Sequence, residues 1–276
     1  MVIIMERIDL WEETPYYEEE YGQPETYLTP HIVPAKTDGN GCPVKTGCVI
    51  VCAGGGYEFR ADHEGDPVAE FFNEYGISSF NLAYRFAPYN YFAIRADVNR
   101  AVRWVRYHAD EYNIDPKKIA ILGFSAGGHL ACMGATHYDF GTMEGDEIDS
   151  VSCRPDAAIL CYPVVTLDDK YTHEGTKANL LAGIADPHRS ELEIRLSGEN
   201  AVTENTPPTF IYHNADDSGV PVENSIGLAA ALSAKKVPFE FHVFEKGGHG
   251  GGLYKDLEGT NQWPHLAADW LKRMGY

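Results

Sequence analysis

The sequence predicts an α/β fold, in which a doubly wound, mostly parallel sheet carries helices on both faces. Strand-like and helix-like segments alternate from Cys48 onward, which is typical of parallel sheets. In the middle of the chain a short apolar run, residues 119–122, leads into a glycine-rich turn and then a helix. With 276 residues, of which 44% are hydrophobic, the chain can bury the core of one large domain, and we expect residues 1–276 to form that domain.

The elements before the glycine-rich turn follow from hydrophobic periodicity. Apolar runs bounded by Gly, Pro, Asn and Asp predict strands, whereas apolar residues spaced three and four apart predict helices. By these criteria strands are predicted near 3–10, 25–33, 47–53 and 77–84, with a loop over 38–41 and helices over 66–75 and 92–112.

The same criteria apply after the turn. They predict strands over 156–162, 209–213 and 239–244, and helices over 222–236 and 264–274. Residues 164–207 show no sustained strand pattern. We interpret this segment as a small cap insertion lying over the strand ends, which is where a lid or a substrate wall is found.

The charge balance excludes some classes of partner. A formal net charge of −19 disfavours nucleic acids and anionic membranes, because both are bound through basic patches. No apolar stretch approaches the roughly 20 residues of a membrane span. The short apolar N-terminus is followed at once by Glu6, so we expect no secretion signal and a cytoplasmic protein.

The cysteines indicate reduced thiols. Several of the six, Cys48, Cys52 and Cys161 among them, lie inside apolar strands, and the sequence has no Cys-x-x-Cys pair. We therefore expect neither disulfides nor a zinc site nor a redox dithiol. No metal and no cofactor are expected, and the sequence leaves open whether the protein forms a homo-oligomer.

The glycine-rich turn carries the candidate nucleophile. Gly123-Phe124-Ser125-Ala126-Gly127 matches Gly-x-Ser-x-Gly, in which a strained turn between a strand and a helix exposes the serine Oγ at the carboxyl end of a sheet. The pattern is weak by itself. Here the required strand precedes it and a helix-compatible run, residues 129–133, follows it. We therefore interpret Ser125 as a nucleophile and not as a simple turn serine.

A serine nucleophile needs a histidine base, and the base needs an acid that orients it. Among the histidines after Ser125, only His249 lies in a glycine-rich loop directly after a strand, so we predict it as the base. The acid is expected between the two in the chain. The loop after residues 209–213 offers Asp216 and Asp217, and their spacing alone leaves both open, with the other one capping a turn or the next helix.

Main-chain donors for an oxyanion are predicted at two places. The amide of Ala126 directly follows the nucleophile, and the turn Gly54-Gly55-Gly56 follows a buried strand. A glycine run can also cradle a phosphate, but the Gly-Lys-Ser/Thr ending of a P-loop is missing here. The nucleotide-binding alternative is therefore poor.

Six segments, taken together, carry a resemblance to a known family. They are Gly54-Gly55-Gly56-Tyr57, His63-Glu64-Gly65, Tyr84-Arg85, residues 123–130, Asp216-Asp217 with residues 220–225, and residues 247–250. In these segments, which extend over almost the whole chain, the sequence resembles bacterial α/β-hydrolase esterases. More narrowly, it is similar to their acetyl-esterase and acetylxylan-esterase-like branch. The resemblance implies the α/β-hydrolase fold.

The resemblance also implies which of the candidate residues act. The family's aspartate stands four residues before the proline of an Asp-x-x-Val-Pro pattern, which favours Asp217 as the acid. The family's oxyanion loop corresponds to Gly55 and Gly56. One departure is Ala53, where a proline or histidine usually precedes the three glycines, but an alanine leaves the following amides intact.

On the substrate side, Tyr57, His63 and Glu64 follow the oxyanion loop and either line the pocket or brace the loop. The resemblance implies a serine carboxylesterase that removes small acyl groups, above all acetyl, from a small-molecule ester, with acetylated sugars or xylo-oligosaccharides as candidates. One alternative is an amide-cleaving hydrolase, an arylformamidase or peptidase, since the same machinery cleaves amides. The other is a non-catalytic binding protein, which would be expected to lack one member of the triad.

Overall fold

A large β-sheet runs through the structure, a computed structural model that describes residues 3–4, 6–22 and 25–276. In this part of the chain the strands are β1 (Ile3–Ile4), β2 (Ile8–Asp9), β3 (Tyr27–Ile32), β4 (Lys36–Thr37), β5 (Pro43–Val44), β6 (Thr46–Cys52), β7 (Ser78–Ala83), β8 (Ile114–Phe124), β9 (Ala157–Cys161), β10 (Thr209–Asn214) and β11 (Phe239–Phe244). The short strands β4 and β5 form a hairpin of their own.

The strand order of the sheet is β1-β3-β7-β6-β8-β9-β10-β11, with β2 also paired to β3. Neighbours from β7 to β11 along this order are parallel, whereas β3 is antiparallel to β7, and both β1 and β2 are antiparallel to β3. The predicted mostly parallel sheet is therefore confirmed. The carboxyl ends of six parallel strands meet at one edge, where ligands of such sheets bind.

Helices lie on both faces of this sheet. Within the described ranges they are α1 (Asp66–Glu74), α2 (Tyr91–Tyr107), α3 (Ser125–Thr136), α4 (Glu174–Leu180), α5 (His188–Leu196), α6 (Gly198–Ala201), α7 (Glu223–Ala234) and α8 (Trp263–Arg273). Short 3-10 turns cover Glu19–Tyr21, Asp62–Glu64, Glu147–Ser150 and Thr260–Gln262.

The side chains of the strands point alternately to the two faces of the sheet, which explains the two layers of helices. In β6, Cys48, Ile50 and Cys52 belong to one buried cluster together with residues of α2 and α3, whereas Val49 and Val51 belong to another together with residues of α1 and α8. Successive strand residues point to opposite faces, so an uninterrupted apolar strand needs cover on both sides. The helices after the neighbouring strands β6 and β8 thus lie on opposite faces, which opens a crevice between those strand ends.

Most elements agree with the prediction to within two residues at each end, but the N-terminal strands, the central strand and two helices differ. The central strand, expected over 119–122, extends over Ile114–Phe124 as β8. The strand predicted near 3–10 is divided into β1 and β2, and Met5 lies outside the described residues. Helix α2 ends at Tyr107 and not at 112, because residues 108–113 form turns in which the amides of Glu111 and Asn113 donate to carbonyls three residues back. Helix α3 begins at the candidate nucleophile Ser125 itself, with two glycines in its first turn.

The segment 164–207 holds α4, α5 and α6 and, within the described residues, no strand. It contacts the rest of the protein through polar bonds as well as apolar packing. Asn179 donates to the carbonyl of Gly56 at 2.9 Å, and Asn90 donates to the carbonyl of Ala182 at 3.2 Å. This segment is thus tied to the turn after β6 and to the residue before α2.

The structure also tests the predictions of reduced, buried cysteines and of a chain without a membrane span. All six cysteines are unpaired, and those named as core residues, Cys48, Cys52 and Cys161, are fully buried as predicted. None of the helices in the described ranges has the length and apolar character that crossing a membrane requires.

The glycines of α3 provide a test of the fold. A Cβ on Gly127 would lie 2.3 Å from the carbonyl oxygen of Cys52, whereas a Cβ on Gly227 in α7 would meet no atom within 4 Å. We expect Gly127→Ala to lower the free energy of unfolding by about 1–3 kcal/mol or more, because the added Cβ would clash with main-chain atoms of the sheet, which cannot move as a side chain can. The matched Gly227→Ala should raise it by roughly 0.5–1 kcal/mol, because alanine favours helix.

Urea unfolding of both variants measures this difference. Equal stability of the two variants would contradict the close approach of α3 to β6.

Candidate active site

Ser125 occupies a strained turn between β8 and α3. Its φ is 52°, in the left-handed region that non-glycine residues rarely adopt. Its neighbours must be small, because a Cβ on Gly123 would lie 2.0 Å from the carbonyl oxygen of Gly127. The strained turn holds the serine at the carboxyl edge of the sheet, where its hydroxyl meets the loop that follows β11.

That loop carries His249. Its Nε2 lies 2.8 Å from the Oγ of Ser125, and its Nδ1 lies 2.7 Å from Oδ2 of Asp217. The Nδ1–H donates to the carboxylate, so Nε2 is left as the acceptor for the serine hydroxyl. The imidazole is 26% exposed and so remains open to solvent on one side. The structure therefore brings Ser125, His249 and Asp217 together in one hydrogen-bonded chain.

Asp217 is held as a buried carboxylate. Its Oδ1 accepts the amides of Gly219 at 2.9 Å and Val220 at 2.8 Å, while Oδ2 faces His249. Burial by itself would raise the pKa of Asp217, but the hydrogen bonds from His213, from His249 and from the Val220 amide outweigh burial. The pKa of Asp217 is therefore far below its ordinary value, and the group is ionised at neutral pH.

Asp216 has a different environment. It is exposed, and its carboxylate accepts the amide of Gly248 at 2.8 Å. It therefore fixes the loop that carries His249 without touching the imidazole. Of the two carboxylates that spacing left open, the structure places Asp217 on His249.

His213 is a buried contact of the acid that the sequence analysis did not single out. It lies in β10, its Nε2 is 3.3 Å from Oδ2 of Asp217 and 2.9 Å from the carbonyl of Val220, and its Nδ1 accepts from the hydroxyl of Ser225 at 2.7 Å. A histidine in a strand, four positions before the acid, was the available signal.

The turn after β6 offers the predicted oxyanion donors. The Gly54 amide donates to Oε2 of Glu64 at 2.7 Å and is therefore occupied. Within the described residues, the amides of Gly55 and Gly56 have no acceptor. Both have positive φ, 125° and 65°. The amide of Ala126 belongs to the first turn of α3, where a helix supplies no acceptor of its own.

Glu64 joins this turn to the histidine loop. It is 2% exposed, and its Oε1 accepts from the hydroxyl of Tyr162 at 2.5 Å. The Tyr162 oxygen in turn accepts the amide of Gly252 at 2.9 Å, and its ring centroid lies 4.9 Å from that of His249. Burial raises the pKa of Glu64, and the hydrogen bonds from Tyr162 and Gly54 partly offset that effect.

The residues predicted either to line the pocket or to brace the oxyanion loop differ in position. Tyr57 is fully buried, and its hydroxyl donates to Nδ1 of His129 at 2.9 Å. Tyr57 and Glu64 therefore occupy bracing positions, because burial leaves them no surface that a ligand would touch. His63 is exposed, and its Nε2–H donates to the carbonyl of Gly250 at 2.8 Å in the histidine loop.

This arrangement has the parts that acyl transfer requires. A hydroxyl faces a base, and the base is oriented by a buried carboxylate. Among the described residues, main-chain amides free of hydrogen-bond acceptors follow β6, and the first turn of α3 follows β8. The two contacts of His249 that link these groups are side-chain hydrogen bonds of 2.7 and 2.8 Å.

Relatives of known sequence include xylan-degrading enzymes and esterases. The chain is 40% identical over 251 residues to the endo-1,4-beta-xylanase B of Butyrivibrio fibrisolvens, an alignment that covers 88% of this chain. It is 32% identical over 229 residues to the acetylxylan esterase of Xylanibacter ruminicola, with 81% of this chain covered. These alignments cover 37% and 45% of the relatives, so the chain spans less than half of their length.

The resemblance to α/β-hydrolase esterases is also found among solved structures. The crystal structure of an acetyl ester-xyloside bifunctional hydrolase from Caldicellulosiruptor lactoaceticus matches with a TM-score of 0.90 and 43% identity, over 98% of this chain and 96% of that chain. This match confirms the α/β-hydrolase fold. The family model described as BD-FAE matches residues 34–232, more than half of the sequence. The chain therefore belongs to the BD-FAE family.

Proposed function

We propose that this chain is a serine carboxylesterase that removes small acyl groups, above all acetyl, from acetylated sugars or xylo-oligosaccharides. The observation that carries the proposal is the hydrogen-bonded series from Ser125 through His249 to Asp217, with distances of 2.8 and 2.7 Å. The names of the relatives support the substrate class, since they include an acetylxylan esterase and an acetyl ester-xyloside hydrolase.

In the proposed reaction the Oγ of Ser125 attacks the ester carbonyl carbon while Nε2 of His249 takes the hydroxyl proton. The amides of Gly55, Gly56 and Ala126 stabilise the resulting oxyanion. His249 then gives its proton to the oxygen of the departing alcohol, and an acyl-enzyme remains. Water, deprotonated by His249, attacks the acyl carbon, and the acid leaves as the serine regains its proton.

The two alternatives are weaker. A non-catalytic binding protein would not be expected to keep three reactive side chains in mutual hydrogen-bond contact. An amide-cleaving hydrolase would use the same residues, so only the choice of substrate separates it from an esterase. The names of the relatives favour the ester.

The proposal extends to the partners and the location of the protein. The net charge of −19 supports a protein that binds neither nucleic acid nor an anionic membrane surface. A cytoplasmic location and a possible homo-oligomer stay predictions.

The nucleophile is tested with Ser125→Ala. We expect kcat/KM for p-nitrophenyl acetate to fall by roughly 10³-fold or more, because no other group takes over the attack. Ser233→Ala, at an exposed serine of α7, is the matched control and should keep full activity. Unchanged turnover by Ser125→Ala would remove the serine from the mechanism.

The acid is tested by comparing two neighbouring substitutions. Asp217→Asn removes the charge that orients His249, and kcat is expected to fall by about 10³- to 10⁴-fold. Asp216→Asn changes only the bond to the Gly248 amide, and a loss of less than about tenfold is expected. Steady-state kinetics with p-nitrophenyl acetate measure both variants. A larger loss at position 216 would show that the wrong carboxylate had been chosen.

The substrate class is tested with matched esters and an amide. Hydrolysis should be fastest for p-nitrophenyl acetate in a series of longer acyl chains, slower for p-nitroacetanilide, and detectable by mass spectrometry as loss of acetyl groups from acetylated xylo-oligosaccharides. Activity that peaks at acyl chains of about eight carbons or more would contradict a small acyl group. Faster cleavage of the anilide would favour the amide-cleaving alternative.

A further inference from the structure

His173 lies in the cap insertion, at the residue that precedes α4. Its Nδ1 accepts the amide of Thr176 at 3.1 Å and lies 2.9 Å from the hydroxyl of the same residue. A ring nitrogen that accepts from an amide carries no proton, so the neutral imidazole has its proton on Nε2. The helix cap therefore selects the tautomer in which Nε2–H is a donor.

The ring of His173 lies beside the oxyanion turn. Its Cε1, the carbon between the two ring nitrogens, is 4.0 Å from the point that a Cβ on Gly56 would occupy. A second contact holds α4 against the same turn, because Asn179 donates to the carbonyl of Gly56 at 2.9 Å. Helix α4 is thus held against the oxyanion turn by Asn179, in its last turn.

The electrostatic surroundings of His173 include the active groups. Burial lowers the pKa of His173, the charge of His249 lowers it further, and the carboxylate of Asp217 acts in the opposite direction. The ring is therefore neutral at neutral pH and within electrostatic reach of the triad. Throughout the described ranges, hydrogen bonds of this side chain are found at Nδ1 and none at Nε2.

We propose that His173 binds substrate, with its Nε2–H donating a hydrogen bond to an oxygen of a sugar leaving group. The inference rests on the proposed function. An acetyl ester has few acceptors: the carbonyl oxygen is taken by the oxyanion donors, the ester oxygen receives its proton from His249, and the acyl methyl has none. The acceptors that remain are the hydroxyl and ring oxygens of the sugar itself.

This assignment makes His173 a specificity residue. A p-nitrophenyl leaving group has no hydroxyl beside the ester, so it cannot use the donor, whereas an acetylated sugar can. Losing the donor should therefore change the preference for sugar esters over p-nitrophenyl acetate by roughly tenfold.

Two substitutions separate the donor from the helix cap. In His173→Asn, the side-chain oxygen can still accept the Thr176 amide and cap α4, but the side chain is too short to place a donor where Nε2 lies. In His173→Gln, the amide group reaches about as far as Nε2 and keeps a donor, while the cap is weakened. His188→Asn, at an exposed histidine of the same insertion, is the matched control.

For each protein we would measure the ratio of kcat/KM for acetylated xylo-oligosaccharides to kcat/KM for p-nitrophenyl acetate. We expect this ratio to fall about tenfold in His173→Asn, to recover in part in His173→Gln, and to stay at the wild-type value in His188→Asn. Thermal unfolding should show the larger destabilisation in His173→Gln, since that variant loses the cap.

An unchanged ratio in His173→Asn, or a ratio that falls further in His173→Gln than in His173→Asn, would overturn the inference. Failure of the proposed function is recognised separately. In that case the wild-type protein itself would not release acetate from acetylated xylo-oligosaccharides, whatever residue stands at position 173.

Discussion

The close approach of two main-chain segments is the constraint on which the site depends. At Gly127 the first turn of α3 lies against the carbonyl groups of Cys52 and Ala53, at the end of β6. This contact sets the distance between Ser125, which begins α3, and the glycine turn that follows β6. Because both segments are backbone, no side chain can adjust the spacing, and the sheet sets the geometry of Ser125 relative to the proposed oxyanion donors.

Buried polar contacts then connect the remaining loops to that rigid pair. Tyr84 donates to the carbonyl of Ala53 at 2.5 Å, which holds the residue where this chain departs from the usual proline or histidine. Glu64 and Tyr162 link the same turn to Gly252 in the loop of His249. Each of these polar groups is buried and has a partner, so hydrogen bonds offset part of the desolvation cost and the network rigidifies the site.

The cap insertion has a different part in the proposed function. The proposed triad and oxyanion donors come from strand ends and the loops that follow them. Residues 164–207 contribute His173 and Asn179 beside Gly56. On the proposal for His173, acyl transfer takes place at the edge of the sheet, and residues 164–207 select the leaving group. The two functions are then separable by mutation.

The sequence by itself determined the features that local pattern encodes. Alternating strands and helices predicted the parallel sheet, and the motifs around Ser125 and His249 predicted the two residues that meet at 2.8 Å, because each motif carries its own turn geometry. Most element ends followed from the same local pattern. The end of α2 at Tyr107 did not, because residues 108–113 lie inside the apolar periodic run but form turns instead of helix.

Only the tertiary structure decided questions that depend on the orientation of a side chain or on a contact between residues distant in the chain. Asp216 and Asp217 are neighbours of the same chemistry, and spacing cannot say which carboxylate faces the imidazole. His173 lies beside Gly56 although the two residues are far apart in the chain, so no local signal marked it. His213 is close to Asp217 in the chain, but only the fold shows that the two side chains face each other. Hydrophobic periodicity indicates which face of a single helix or strand is buried. Side chains from separate strands and loops come into contact only when the sheet brings the strand ends together.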